Sequence, residues 1–208
     1  MAIEKPDKKA AILAAAEQLF CELGFDGTST RQIAKESGAN MAMINYYFGS
    51  KEGVFQEIME QRMKDFNTQL VTINEGKTTA FEKLTKVVES YAHRILSNIG
   101  FHRMMNRELL LSQRPDLFCK ITGSMTSNLQ VIENIINDGI SNGSFRKVDS
   151  RMLIATIMGT ISSLAISPSK ITAGSKLDIN IPADREILTE RLLIHLKDLI
   201  TTYLTPQK

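Results

Sequence analysis

Apolar residues recur every three or four positions along almost the whole of this chain, the spacing that gathers them on one face of an α-helix. Ile12, Ala16 and Leu19 follow this spacing in the first such stretch. No segment shows the sustained alternation of a confident β-strand, although residues 172–181 allow one short extended piece. The pattern therefore predicts an all-α protein of about nine helices.

Helix-capping residues and glycines divide this pattern into segments. Ser29 followed by Gln32 matches a capping box, Asn40 can cap the next helix, and Gly38 lies between the two. The predicted helices cover residues 7–23, 29–37, 40–48, 50–70, 81–99, 102–112, 117–142, 150–167 and 184–203. This order predicts a small three-helix domain over residues 1–52 and a larger helical domain over 53–208, with the fourth helix, 50–71, as connector and residues 167–184 as a loop.

The charge of the chain does not by itself indicate a nucleic-acid partner. The net charge is +2, and the first 52 residues contain six Lys/Arg and seven Asp/Glu, which gives 6 − 7 = −1. A DNA-binding hypothesis must therefore depend on where particular residues lie and not on a basic excess.

The two cysteines and the hydropathy indicate an intracellular location. Cys21 and Cys119 both fall in apolar helical patterns, which favours buried free thiols over a disulfide. No apolar run reaches the roughly 18 residues of a membrane-spanning helix, and the N-terminus lacks a signal-peptide core. We therefore expect a cytoplasmic protein with no membrane partner.

No catalytic or cofactor-binding motif is visible in the sequence. His93, His102 and His195 are too scattered for a metal site, and we expect structural or surface roles for them. There is no Ser-His-Asp order, phosphate-binding loop or nucleotide fingerprint. We therefore expect no enzyme activity, no metal and no cofactor. An enzyme remains an alternative only if the chain contains a carboxylate pair that the sequence pattern does not reveal.

The stretch from residue 28 to residue 53 predicts a helix-turn-helix, because two short helices flank Gly38 and follow an amphipathic helix. Short helices are marginally stable alone, so this pair must be held by packing. We expect its inner residues, Ile33, Ala34, Ile44 and Phe48, to pack against Leu19, Phe20 and Leu23. That packing leaves an outward set on the second short helix, Met41, Ala42, Asn45 and Tyr46.

The outward residues have the chemistry to read DNA. Asn45 can pair with adenine, and Met41 or Ala42 can touch thymine methyl groups. Tyrosine hydroxyls, Lys51 and the N–H groups at helix starts suit phosphates. Two alternatives stay open at this point: the tyrosines as core aromatics, and Lys51 as a solvated lysine. A cation at a helix start opposes the helix dipole, which favours a phosphate near Lys51.

The same residues carry a family resemblance. The segment ILAAAEQLFCELGFDGTSTRQIAKESGANMAMINYYFGSKEGVF resembles the DNA-binding domain of TetR-family transcriptional repressors, and INYYFGSKEG resembles the subgroup that carries INYHFGSKE. The resemblance implies DNA contacts from one set of residues. That set is Thr30, Arg31, Asn40, Met41, Ala42, Asn45, Tyr46, Tyr47 and Lys51. The commoner family pattern has tyrosine at the position of Asn45.

The resemblance also implies a homodimer built on the last two helices. The helix from residue 152 to residue 166 is apolar nearly all round, so it must be buried on all sides, and MGTISS offers small residues for close helix approach. The expected interface residues are Met152, Gly159, Ser163, Leu192, Leu196, Leu199 and Tyr203.

A ligand pocket in the C-terminal domain is the third implication. The candidate wall is Phe101, Met104, Met105, Glu108, Leu109, Phe118, Met125 and Met158. Methionine-rich walls adapt to varied ligands, but a stripe of this kind is also an ordinary core, and Glu108 is open to a salt bridge as well as a pocket role.

Taken together, these features predict a ligand-responsive repressor. It would bind a palindromic site in double-stranded DNA as a dimer and be released by a small, mostly apolar effector. The alternatives are a helical adaptor that binds only proteins or, less favoured, an enzyme with an unrecognised site.

Overall fold

The computed structural model describes residues 7–111 and 115–206, without the side chains of residues 111, 115–118 and 120. Over that part of the chain it contains ten helices and no strand. They are α1 (Lys8–Gly27), α2 (Thr30–Glu36), α3 (Met41–Phe48), α4 (Lys51–Glu75), α5 (Ala80–Ser97), α6 (Ile99–Leu111), α7 (Pro115–Ser141), α8 (Ser150–Ile166), α9 (Ser169–Thr172) and α10 (Pro182–Leu204).

The predicted all-α class is confirmed, and the extra helix lies in the predicted loop. The four-residue α9 follows Pro168, whose φ of −60° already suits a helical turn. The last helix begins at Pro182, two residues before the predicted Asp184, because proline is well suited to a first helical position.

The chain divides into two compact units. Unit one contains the described residues up to Lys64 together with those from Arg103 to Ser124. Unit two contains residues 65–102 and the described residues from Met125 onward. The divisions therefore fall inside α4, α6 and α7, whereas the predicted boundary at residue 52 follows the helix-turn-helix pattern.

Unit one is built around three mutually packed phenylalanines. The ring centroids of Phe20, Phe25 and Phe55 lie 5.2–5.4 Å apart, and all three side chains are at most 2% exposed. Arg62 of α4 pairs with Glu17 of α1, with 3.1 Å between its Nε and the Glu17 Oε2. The first turns of α4 are thus part of the core that supports α2 and α3.

One expected core contact is wrong. Leu23, which was expected to pack in the core, is 48% exposed, whereas Phe25 two residues later is buried. The reason is the backbone at Gly24, whose φ of 77° and ψ of 169° interrupt α1 and redirect the chain. Leu23 is therefore on the outer side of the kink.

Unit two has a continuous apolar core in which α5 packs against both α8 and α10. Phe145 lies directly over Gly139, where any β-carbon would be 2.3 Å from the ring. The Phe145 ring also packs edge-on against Phe81 at 4.7 Å. No helix within residues 7–111 and 115–206 has the length and apolar character to cross a membrane.

Candidate nucleic-acid interface and effector cavity

The helix-turn-helix is organised by capping side chains at both of its helices. The N–H of Gln32 donates to the Ser29 Oγ at 3.2 Å, and the N–H of Ser29 donates to the Gln32 Oε1 at 2.8 Å. Gly38 makes the turn with φ at 60°. Asn40 then accepts a hydrogen bond from the N–H of Met43 at 2.8 Å. The predicted DNA contact Asn40 therefore has its side-chain oxygen in the cap of α3.

The exposed side of α3 carries the predicted DNA-reading residues together. Ile44 is fully buried beneath the helix, whereas Met41 is 38% exposed, Tyr46 83% and Tyr47 42%. Ala42 and Asn45 are exposed on the same helix. The tyrosine rings contact each other edge to face at 5.2 Å. An 83% exposed Tyr46 is not a core aromatic, so the core alternative fails for that residue.

The cations of the helix-turn-helix divide into two groups. Lys8 donates to the carbonyl of Gly38 at 3.1 Å, Lys9 pairs with Glu57 at 2.7 Å, and Lys51 donates to two backbone carbonyls. Arg31 and Lys35 are exposed and form no hydrogen bond or ion pair with other residues that the structure describes. Arg31, together with the half-buried Thr30 beside it, is therefore placed on α2 with its guanidinium available to a phosphate.

The predicted pocket residues are divided between the two units. Phe101, Met125 and Met158 belong to unit two, and Phe101 is buried. The other described members belong to unit one: Met104 and Met105 are buried, and Glu108 and Leu109 are half-buried. The side chain of Phe118 lies outside the described residues.

Unit two contains a small apolar cavity between α5, α7 and α8. Its walls are Leu84, Val87, Val88, Tyr91, Ile132, Ile154, Ile157 and Met158. Of the predicted pocket residues whose side chains the structure describes, only Met158 lines it. The cavity holds about 10 Å³, close to the space of one water molecule, so a larger ligand requires these helices to separate.

Three polar side chains from three helices meet in unit two. The Nε2 of His102 is 3.2 Å from the Oγ of Ser162, and the hydroxyl of Tyr91 hydrogen-bonds to Ser162. Burial lowers the pKa of His102 to about 4 and raises the pKa of Tyr91, so both groups are neutral near pH 7. The sequence does not reveal this contact of Tyr91 with Ser162, because a helical stripe does not show which side chains meet across helices.

A larger opening, of about 740 Å³, lies on the surface of unit two between α5 and α10. Charged residues line much of it, including Glu89, Arg185, Glu190 and Lys197. This groove is open to solvent and bears none of the predicted pocket residues. For an apolar ligand the small cavity between α5, α7 and α8 has the more suitable walls.

The expected interface residues lie partly inside the protomer. Leu192 is 6% exposed and Leu196 is fully buried, and both pack in the core of unit two. The prediction that these two residues contact a partner subunit is therefore wrong. Leu199 is half-buried, and Tyr203 is 42% exposed. The outward face of α10 instead presents Ile187 and Ile194, on the side of the helix opposite Leu192 and Leu196.

Helix α8 keeps an exposed stripe of small and apolar residues. Its exposed members are Met152, Ala155, Thr156, Gly159 and Ile166, and Ser163 beside them is half-buried. A β-carbon on Gly159 would meet no heavy atom within 4 Å, so nothing inside its own protomer requires glycine there.

Among the residues that the structure describes, no group of three metal-binding side chains comes together.

Two family models match the chain. The N-terminal model, for bacterial regulatory proteins of the tetR family, covers residues 12–58, and a tetracyclin repressor-like C-terminal domain covers residues 77–166. The chain belongs to the TetR family. The helix-turn-helix built by α2 and α3 is therefore a DNA-binding domain, as the sequence predicted.

Similar TetR-family proteins are transcriptional regulators and not enzymes. The fatty acid metabolism regulator protein of Bacillus subtilis (strain 168) is 26% identical over 159 residues, which is 76% of this chain and 81% of that protein. A solved structure of FadR from Bacillus subtilis in complex with stearoyl-CoA has a TM-score of 0.71 at 24% identity, covering 90% of this chain and 96% of that one.

A second solved structure, AibR in complex with isovaleryl coenzyme A and operator DNA, has a TM-score of 0.70 at 17% identity and covers 93% of this chain and 97% of that one. These structures share the fold of this TetR-family chain. The chain is a DNA-binding transcriptional regulator, so the adaptor and enzyme alternatives fail.

Proposed function

We propose that this regulator reads a palindromic operator as a homodimer in the cytoplasm and leaves it when an acyl-bearing, mostly apolar effector binds in unit two. In this proposal residues 1–52 contact DNA, the helix over 50–71 connects, and residues 53–208 bind the effector and the partner subunit. The observation that carries it is α3, which buries Ile44 completely and presents Met41, Ala42, Asn45 and Tyr46 outward.

The stripe on α8 supports the dimer. A surface that combines Met152 at 64% exposure with glycine, alanine and serine suits a second helix at close range, because small side chains let helix backbones approach. Ile194 at 64% exposure and Ile187 at 52% extend apolar surface onto α10. A two-fold symmetric dimer would place two copies of α3 on two half-sites, which is why the operator is proposed to be palindromic.

The cavity of unit two and the named relatives support the effector class. The FadR structure holds stearoyl-CoA and the AibR structure isovaleryl coenzyme A, so acyl thioesters are the first candidates for this chain. An acyl chain suits the apolar walls between α5, α7 and α8. Tyr91 is one of the residues that line this wall, and its hydroxyl hydrogen-bonds to Ser162.

Sequencing the genomic fragments that the purified protein retains tests the DNA-binding part. We expect a small set of fragments with an inverted repeat, and binding that weakens steeply between two salt concentrations. Retention of random fragments, or binding that salt does not alter, would contradict the proposal.

Titrating the retained fragment with stearoyl-CoA, isovaleryl-CoA and coenzyme A without an acyl group tests the effector. We expect an acyl thioester to release the DNA and coenzyme A alone to have no effect. Release only by strongly charged compounds would overturn the apolar effector.

A further inference from the structure

Lys51 lies at the start of α4, yet its ammonium contacts the end of α1. The Nζ donates to the backbone carbonyls of Phe25 and Thr28, each at 2.8 Å. The same nitrogen lies 4.3 Å from the centroid of the Phe25 ring, close enough for a cation–π contact. Two of the three ammonium protons are therefore directed at the backbone of unit one.

These carbonyls are suited to hold a cation. They lie where α1 ends, and helix C-termini carry a partial negative charge. Thr28 is 2% exposed, and its hydroxyl donates to the carbonyls of Gly24 at 2.8 Å and Leu19 at 3.1 Å. These bonds join Thr28 to α1, whereas the bonds from Lys51 join the same segment to α4. The positive charge at the start of α4 is thus offset by backbone carbonyls without a phosphate.

We infer that Lys51 is a positioning residue for DNA reading, which holds residues 25–28 against the first turn of α4 and thereby orients α2 and α3. Residue 28 is followed directly by the Ser29 cap of α2, so a displacement of this segment moves both short helices. The inference rests on the proposed reading of DNA by α3. It departs from the phosphate contact that the family resemblance implies for this lysine.

A second lysine has a similar arrangement. Lys8 of α1 donates to the carbonyl of Gly38, the residue that makes the turn between α2 and α3. Lys8 and Lys51 therefore hold the two ends of α2 through backbone carbonyls. The helix-turn-helix uses these cations for internal geometry, which agrees with the lack of a basic excess in the first 52 residues.

The experiment compares Lys51→Met with Lys35→Met in the full-length protein. Lys51→Met keeps the apolar stem and removes the ammonium, whereas Lys35→Met removes an exposed lysine of α2. Two quantities are measured: the affinity for the retained operator as a function of salt, and the hydrogen exchange of backbone amides in residues 25–36 without DNA.

We expect Lys51→Met to weaken operator binding about tenfold or more, with the salt slope unchanged and faster exchange in residues 25–36. Lys35→Met should leave that exchange unchanged. A phosphate contact gives the opposite pattern: a slope smaller by about 1.8 for the dimer, at about 0.9 per phosphate, and normal exchange. That pattern would overturn the inference.

Lys51→Arg is the second variant and covers the case in which the methionine variant does not fold. Arginine keeps the charge and is a good phosphate ligand, but its planar guanidinium is a poor substitute where two carbonyls converge on one nitrogen. We expect Lys51→Arg to bind operator weakly and to exchange faster, whereas full affinity with normal exchange contradicts positioning. If the wild-type protein itself bound no DNA, the proposed function would fail instead.

Discussion

A β-carbon placed on Gly53 would lie 1.9 Å from the carbonyl oxygen of Phe48. The backbones of α3 and α4 therefore meet at a distance that only glycine permits. The corner is completed by Gly49, with φ at 74°, and by Ser50, whose hydroxyl accepts from the N–H of Gly53 at 3.2 Å. The direction of α3 relative to α4 depends on this contact.

Gly53→Ala should displace α3 and lower both stability and DNA affinity. Overpacking of this kind costs about 1–3 kcal/mol, and more where backbone atoms must move. Gly123→Ala is the matched control, because a β-carbon there meets nothing within 4 Å and alanine favours helix. Thermal unfolding and operator titration check the pair; equal results for the two variants would refute the corner argument.

Asn45→Ala should change which operator sequence is preferred. Asn45 is exposed one turn beyond Met41, so both side chains face the same side of α3. Loss of a bidentate contact between Asn45 and a base costs about 1–3 kcal/mol of discrimination. Binding to single-base variants of the operator is the measurement. If the ranking of variants stays the same, Asn45 only positions the helix, as the tyrosine that is commoner in the family suggests.

Arg31→Ala should reduce the salt dependence of binding and weaken all sequences alike. Its exposed side chain bonds to no other described residue, so its charge is available to a phosphate. The slope of log affinity against log salt should fall by about 0.9 per subunit. A change in sequence preference with an unchanged slope would instead indicate a base contact.

Gly159→Leu should yield monomers while leaving the protomer fold intact. No atom of the protomer lies within 4 Å of the added β-carbon, whereas a close partner helix would clash with leucine. Light scattering measures the mass, and circular dichroism checks the fold. Val71→Leu, at another exposed position, is the control and should remain dimeric. If Gly159→Leu also remained dimeric, α8 would not be part of the interface.

His102→Gln should remove part of the acid sensitivity of folding. The pKa of His102 is about 4 in the folded protein and ordinarily 6.5, so the unfolded chain binds the extra proton between these values. The free energy of unfolding should therefore be unaffected above pH 6.5 and fall as pH drops towards 4. Urea unfolding at several pH values should show a shallower fall in the free energy of unfolding for the variant. Parallel curves for the two proteins would show that His102 is not a source of the acid sensitivity.

The local features of the fold could be predicted from sequence because they depend on neighbouring residues. The capping pair Ser29–Gln32, the Asn40 cap and the Gly38 turn all occur as predicted, since each is set within a few positions of the chain. The exposed face of α3 followed from the same helical spacing, with Ile44 buried as expected.

Features that depend on tertiary contacts could not be predicted in the same way. The pattern of α10 showed an apolar stripe, but not that Leu196 faces its own core and Ile194 faces solvent. Likewise, the position of Lys51 at a helix start suggested a phosphate, because nothing local shows that two carbonyls from residues 25 and 28 lie beside it.

The nearly filled cavity of unit two has a thermodynamic consequence for sensing. A core with about 10 Å³ to spare would accommodate the proposed effector only in a minor, expanded population of the protein. The apparent dissociation constant would then equal the intrinsic one divided by the fraction of molecules in that expanded population. Substitutions that shrink side chains around the cavity would raise this fraction and lower the apparent dissociation constant, whereas substitutions that fill the cavity would make the regulator insensitive to that effector.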